Sequence, residues 1–241
     1  MGSLRERMLE EQHQRALQLL QHKKERIVMG NLSEELLDFT PQCHHLRWLA
    51  DHLDGWQFGD QGLIDAITTT LNSDGIAIEY GAGDGVELPL TVSRLYDKGR
   101  QCWLAEIDPD RRASLKRIYS KAIIDASINW QDIINEGRRV AVCVIDIDSQ
   151  DSIVMREMLS AGVRPELLVV EHMDRYYPIG TSTPDTIPQW LLGHKLRSGH
   201  AIQDTAETLH AIAIKFGYER IGLNRCNSYF VRSDKFLNLL R

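Results

Sequence analysis

The chain has 241 residues with 28 basic and 34 acidic side chains, a formal net charge of −6, and 43% hydrophobic residues. That length suits one substantial α/β domain plus an appendage rather than two full domains. No Lys/Arg cluster is interleaved with aromatics, so the electrostatic term that dominates nucleic-acid binding is missing, and no apolar run approaches the roughly 20 residues of a membrane span.

The N-terminus is charged and Gln-rich without the apolar stretch of an export signal, and the four cysteines, Cys43, Cys102, Cys143 and Cys226, lie far apart without C-x-x-C spacing. Both features predict a soluble, cytoplasmic protein with reduced thiols and no membrane partner. Residues 4–28 are rich in helix formers but carry only a thin apolar stripe of Leu4, Met8, Leu17, Leu20 and Ile27. They read as an arm that packs on the domain or on a second copy of the chain; His13 and Lys23 on the best a/d frame exclude a sustained coiled coil. Residues 33–72 read as further helices, with Ser33 as an N-cap and a break at Thr40-Pro41. The division expected is a helical extension over 1–72 and an α/β domain over 73–241.

From Gly75 onward strands and helices alternate, as in a wound parallel sheet. The pattern predicts a strand at 75–80, a helix at about 86–97 with Pro89 in its first turn, and a strand at 101–106. Asp108-Pro109 then caps a helix running to about Tyr119. Lys121–Ile128 reads as a third strand. Val140–Asp146 is an uninterrupted apolar run of the kind buried on both faces, followed by a helix at 151–161 and a second buried strand at 166–171. Residues 172–199 hold three prolines, Pro178, Pro184 and Pro188, and form a long connection in which Tyr176, Tyr177 and Trp190 either wall an apolar pocket or pin the loop to the domain. A helix from Ala201 to Phe216, capped by Gly217, precedes two short strands at 218–222 and 228–232.

The first strand of this series runs into Glu79-Tyr80-Gly81-Ala82-Gly83-Asp84-Gly85, and 21 residues past Gly85 the second strand ends at Glu106. A loop of bare backbone beside an acid at the carboxyl edge of neighbouring strands suits a nucleoside whose ribose hydroxyls the acid accepts. A dinucleotide fingerprint needs its third glycine where this chain has Val86. Glu79 and Asp84 also place negative charge where a diphosphate is repelled and an ammonium or sulfonium is welcome. Without a ligand, the same residues make a tight strand-to-helix turn with Glu106 as a solvated strand end.

The motif is similar to the first motif of the class I S-adenosylmethionine (SAM)-dependent methyltransferases, E/D-x-G-x-G-x-G, and Glu106 matches that superfamily's acid on the second strand. The resemblance implies a Rossmann-like, doubly wound sheet of seven strands, mostly parallel with one antiparallel, ending in a helix and hairpin. It also implies a cofactor set of Glu79, Gly81, Ala82, Gly83, Asp84, Gly85, Glu106, Ile107, Ala126 and Asp146. Asp146-Ile-Asp148-Ser-Gln-Asp151, the strand-end Glu171-His172, and the later K-F-G-Y-E-R-I-G-x-N and Y-F-V-R-S-D stretches resemble bacterial FkbM-like O-methyltransferases over roughly residues 75–236, with His172 where that group carries Tyr.

Asp146 and Asp148 share a side of the strand end because strand side chains repeat every two residues, and Glu171 and His172 end the next strand. A hydroxyl acceptor needs a base near neutral pH, which points to His172 with Asp148 as partner, and to Asp146 as the orienting group or an alternative base. His200 is the second imidazole in reach of that role. An inert loop histidine, hydrogen-bonded to backbone, is the competing reading of His172. The alternative use of Asp146, Asp148, Glu171 and His172 is as ligands for Mg²⁺ or Mn²⁺. Catechol-type enzymes end that pattern in Asp-Asn, which this chain lacks, so no metal is expected. The expected partner is a small polar acceptor, a sugar or secondary metabolite; a binding module with the same sheet but no activity is the competing reading.

Overall fold

A computed structural model describes residues 38–39, 60–147, 151–172, 204–223 and 226–239. One sheet organises them. Its strands in chain order are β1 (Asp38–Phe39), β2 (Ile76–Tyr80), β3 (Cys102–Ala105), β4 (Ile123–Asp125), β5 (Val140–Ile145), β6 (Leu167–Glu171), β7 (Tyr218–Leu223) and β8 (Asn227–Arg232), and their spatial order is β1-β7-β8-β6-β5-β2-β3-β4. The neighbours from β4 to β6 are all parallel. Strand β8 is inserted antiparallel between β6 and β7. This is the Rossmann-like, doubly wound arrangement that the resemblance implies: seven strands, mostly parallel, with one antiparallel. To these β1 adds an eighth strand at the edge, pairing Asp38 with Leu223 and Phe39 with Gly222. It lies in a stretch that reads as helical from sequence.

The apolar runs are strands because both of their faces are covered. Ala77, Leu104, Val142, Val144, Leu167 and Val169 face one layer; Ile76, Ile78, Trp103, Cys143, Ile145, Leu168 and Val170 face the other. Helices α1 (Asp60–Thr70), α2 (Ser93–Asp97) and α3 (Pro109–Ile118) pack on the first face through Leu63, Ile64, Ile67, Leu95, Leu115 and Ile118. The opposite face is covered by α4 (Trp130–Asn135), α5 (Asp151–Ala161) and α6 (Ala206–Lys215), through Ile133, Met155, Met158, Leu209 and Ile212. Helix α7 (Ser233–Leu239) returns Leu239 to the first layer. Helix α1, from the segment preceding the glycine motif, thus belongs to the same core as the sheet.

Two elements differ from the sequence expectation. The helix expected from about residue 86 begins only at Ser93. Asp84 Oδ1 captures the N–H groups of Val86, Glu87 and Leu88 at 2.8, 2.8 and 3.0 Å, and Pro89 has no N–H to continue a ladder. The strand expected over 121–128 shrinks to the three residues of β4, an edge strand in which only Ile124 is buried.

Chain order fixes where a ligand crevice opens. From β2 the chain winds outward through β3 to β4, then crosses back to β5 on the other side of β2. The carboxyl ends of β2 and β5 therefore flank a topological switch point, the place where open α/β sheets bind ligands.

Candidate cofactor crevice

At the switch point the glycine loop and the end of β5 are in direct contact. Asp146 N–H donates to the Tyr80 carbonyl at 2.9 Å, and Gly81 and Ala82 both donate to the Ala105 carbonyl, at 2.9 and 3.0 Å. Gly81, with φ of 90°, has no room for a side chain, since a Cβ there falls 1.7 Å from the Asp146 carbonyl oxygen. Gly83 and Gly85 also have positive φ, and a Cβ on either comes within 2.7 Å of Leu88 or Tyr119. The glycines therefore let the loop lie flat on its own domain while both strands approach.

Glu106 ties the loop to the neighbouring strand. Its Oε2 accepts from Gly83 N–H at 2.8 Å and its Oε1 from Asp108 N–H at 2.9 Å. An ionised carboxylate has about four acceptor positions, so two remain for hydroxyl donors. The sequence reading has this acid accepting ribose hydroxyls; in the structure it also braces the loop.

Glu79 is buried, and its two oxygens accept from Thr91 N–H at 2.9 Å and Val92 N–H at 3.0 Å. Burial pushes its pKa up to about 7; those two hydrogen bonds pull against the shift and the Asp146 charge adds to it. Asp84 is committed to the turn that holds Val86–Leu88. Ile107, immediately after Glu106, is 83% exposed, an apolar side chain left open beside the acid. Ala126 is exposed just past the end of β4. Of the cofactor set, Glu79, Gly81, Ala82, Gly83, Asp84, Gly85, Glu106 and Asp146 thus lie on the loop and the three strand ends around it.

The catalytic set is only partly visible. Glu171 and His172 are buried at the end of β6, and His172 N–H donates to the Cys226 carbonyl at 2.5 Å. Asp148 lies outside the described residues, as do Tyr176, Tyr177, Trp190 and His200. Among the described residues, no group of three or more His, Cys, Asp or Glu side chains is placed to hold a metal ion. The pairing of His172 with Asp148 and the alternative metal quartet therefore both depend on a residue outside the described set.

Sequence reasoning did not reveal the burial of two acids beside this edge. Asp60, at the start of α1, accepts from Asn227 Nδ2 at 3.0 Å across 167 residues. Asp151 opens α5 fully buried, with Oδ1 accepting from Ile147 N–H at 3.0 Å and Oδ2 without a hydrogen-bond partner among the described residues. Burial pushes its pKa up to about 7, against the Ile147 hydrogen bond and with help from the Asp146 charge. The D-x-x-D spacing flagged Asp151 as one of a crowd of acids, without any sign of its burial; Asp60 carried no local signal.

No protein-family model matches the chain, and no curated protein matches it. Solved structures resembling it include an O-methyltransferase family protein from Burkholderia thailandensis, at 14% identity over 72% of this chain and a TM-score of 0.47. The chain spans 55% of that protein's length. Others are a methyltransferase from Geobacter sulfurreducens (11% identity, 88% of this chain and 96% of the other, TM-score 0.45) and the Methanococcus jannaschii fibrillarin pre-rRNA processing protein (12% identity, 85% of each chain, TM-score 0.45). At these scores the likeness carries no argument about activity. Among the described residues, no helix is long and apolar enough to cross a membrane.

Proposed function

We propose that the chain is a SAM-dependent methyltransferase of the class I superfamily that transfers a methyl group to a hydroxyl of a small polar acceptor in the cytoplasm. The observation that carries this reading is the Glu106 carboxylate, hydrogen-bonded to the glycine loop at Gly83 and still holding two acceptor positions at the switch point. Beside it, exposed Ile107 offers an apolar surface for a base, and the Asp146 carboxyl favours a cationic ligand over a diphosphate, while Glu79 is spent on the Thr91 and Val92 N–H groups. The residues present therefore fit SAM.

When bound, SAM supplies an electrophilic methyl group on its sulfonium. The chain's part is to hold and orient. Glu106 accepts the ribose hydroxyls, the Gly81–Gly85 backbone lies against the nucleoside and its tail, and Asp146 adds negative charge beside the sulfonium. His172 removes the acceptor's proton, and Asp148 and Asp146 orient the acceptor against the methyl group. In this reading residues 73–241 carry the transferase, residues 1–72 precede it as an extension whose β1 and α1 join the same sheet and core, and no metal takes part.

Thermal unfolding with SAM, S-adenosylhomocysteine, NAD and buffer tests the cofactor. A ligand that binds only the folded state raises stability by RT ln(1 + [L]/Kd). SAM and S-adenosylhomocysteine are expected to raise the Tm and NAD is not; the reverse pattern removes the reading. His172→Ala is expected to lower turnover while leaving SAM affinity intact. Full activity in that variant moves the base to His200 or an aspartate. A mass-spectrometric screen of metabolite extracts for gain of one methyl group finds the acceptor.

A further inference from the structure

The sheet edge opposite the glycine loop carries a cavity of about 560 Å³, within the range of roughly 300–1,000 Å³ typical of small-ligand sites. Three connections meet there. Gly137–Val140 leads from α4 into β5, Gly162–Glu166 leads from α5 into β6, and Arg232–Lys235 leads from β8 into α7. Its charged lining is five cations, Arg138, Arg139, Arg164, Arg232 and Lys235, against two carboxylates, Glu166 and Asp234. A local surplus of three positive charges in a chain of net charge −6 is a concentration that needs a cause.

Part of the cause is internal. Arg232 spends Nε and Nη2 on Asp234 and Nη1 on the Arg164 carbonyl. Arg139 binds Asp74 and Glu166. Arg164 Nη1 donates to the Leu159 and Val163 carbonyls, which caps the end of α5, and the guanidinium lies 5.2 Å from the centroid of the Phe216 ring. Capping, however, uses only one nitrogen of Arg164. Its Nε and Nη2 donate to no acceptor among the described residues, and those two nitrogens form the side of a guanidinium that grips a phosphoryl group with two parallel hydrogen bonds. Among the described residues the Lys235 ammonium pairs at salt-bridge distance with Glu166 alone, at 3.3 Å, and Arg138 Nη2 has no acceptor after Nε donates to Glu136 and Nη1 to Gln101.

We propose that this amino-edge cavity is a binding site for a phosphorylated small molecule, with the open side of Arg164 and the Lys235 ammonium on its phosphoryl oxygens. The site lies across the sheet from the proposed cofactor crevice and does not depend on it. Anion binding there weakens as salt rises, as charge-dominated binding does.

Calorimetric titration of inorganic pyrophosphate into the full chain tests it, with two variants. Arg164→Gln combined with Lys235→Gln removes the donors. Gly137→Asp leaves every cation in place and sets a carboxylate on the cavity wall, where a Cβ meets nothing within 4 Å. Gly137 has φ of 60°, and Asp and Asn tolerate that region best among residues with a side chain; Gly137→Asn is therefore the uncharged control. Pyrophosphate is expected to bind the wild type and Gly137→Asn alike, and the double variant and Gly137→Asp at least about tenfold more weakly. Circular dichroism of each variant confirms folding. No heat with the wild type at millimolar pyrophosphate, or equal affinity for all four proteins, overturns the proposal. So does tight binding of a short single-stranded RNA that pyrophosphate fails to displace, which makes the edge a nucleic-acid surface instead.

Discussion

Glu106 separates two kinds of loss. Because it holds both Gly83 N–H and Asp108 N–H, Glu106→Ala strips the loop of its brace as well as the proposed ribose of its acceptor. Glu106→Gln keeps the shape but turns one oxygen into a donor that faces another donor, at about 1–3 kcal/mol for the unmatched group. Chemical denaturation is expected to show that modest loss. Gly81 tests close approach itself. With a Cβ 1.7 Å from the Asp146 carbonyl, Gly81→Ala is expected to cost about 3 kcal/mol or more. Gly99 has φ of 85° but nothing within 4 Å of its Cβ, so Gly99→Ala is expected to cost only about 1 kcal/mol. Equal urea midpoints for the two alanine variants contradict the packing account. The buried acids set a pH dependence. Glu79 and Asp151 both titrate near 7 in the folded chain, above their unfolded values, so folding binds protons. Their stabilisation is complete below the ordinary carboxylate range and is lost as pH rises to about 7. Half-buried His210 acts oppositely, since burial lowers its pKa. Asp151→Asn mimics the neutral acid, so the fall in Tm from about pH 5 to about pH 7.5 is expected to be shallower in the variant than in wild type. Parallel curves contradict this assignment.

At the scale of elements, local signals were legible where they were complete. The Val140–Ile145 run has no polar interruption and is a central strand buried on both faces; Asp108-Pro109 caps α3 as its chemistry dictates, with Oδ1 accepting from Asp110 and Arg111 N–H. The loop after Gly85 failed to read correctly because two carboxylates compete for its N–H groups. Asp84 takes three and Glu79 takes those of Thr91 and Val92, which leaves only five residues for α2. Strand β1 was illegible because two residues carry no periodicity, and the Asp60–Asn227 bond was illegible because its partners are 167 positions apart. The glycine motif and Glu106 were legible at once, since spacing alone put them on neighbouring strand ends. Capping offers a direct check on α6, where Thr205 Oγ1 accepts from Thr208 N–H at 3.2 Å. Thr205→Ala is expected to destabilise by about 1 kcal/mol, read as a shift in urea midpoint with unchanged slope.

Over the whole molecule the two edges of the sheet carry opposite character. Glu79, Glu106, Asp146, Asp151 and Glu171 gather at the carboxyl edge, whereas Arg138, Arg139, Arg164, Arg232 and Lys235 gather at the amino edge. The switch point between β2 and β5 falls on the side that holds Glu106 and Asp146, and the proposal of a cationic nucleoside there rests on that placement. Burial of the thiols belongs to the same organisation. Cys102, Cys143 and Cys226 are buried, and burial pushes the Cys102 thiol up to about 12, with the Glu79 charge adding to the effect. Isothermal titration of S-adenosylhomocysteine into the wild type and into Glu106→Gln tests the central claim most directly. One site per chain in the wild type, weakened at least about tenfold in the variant, is the predicted result. No binding to the wild type, or equal binding to both, contradicts the account.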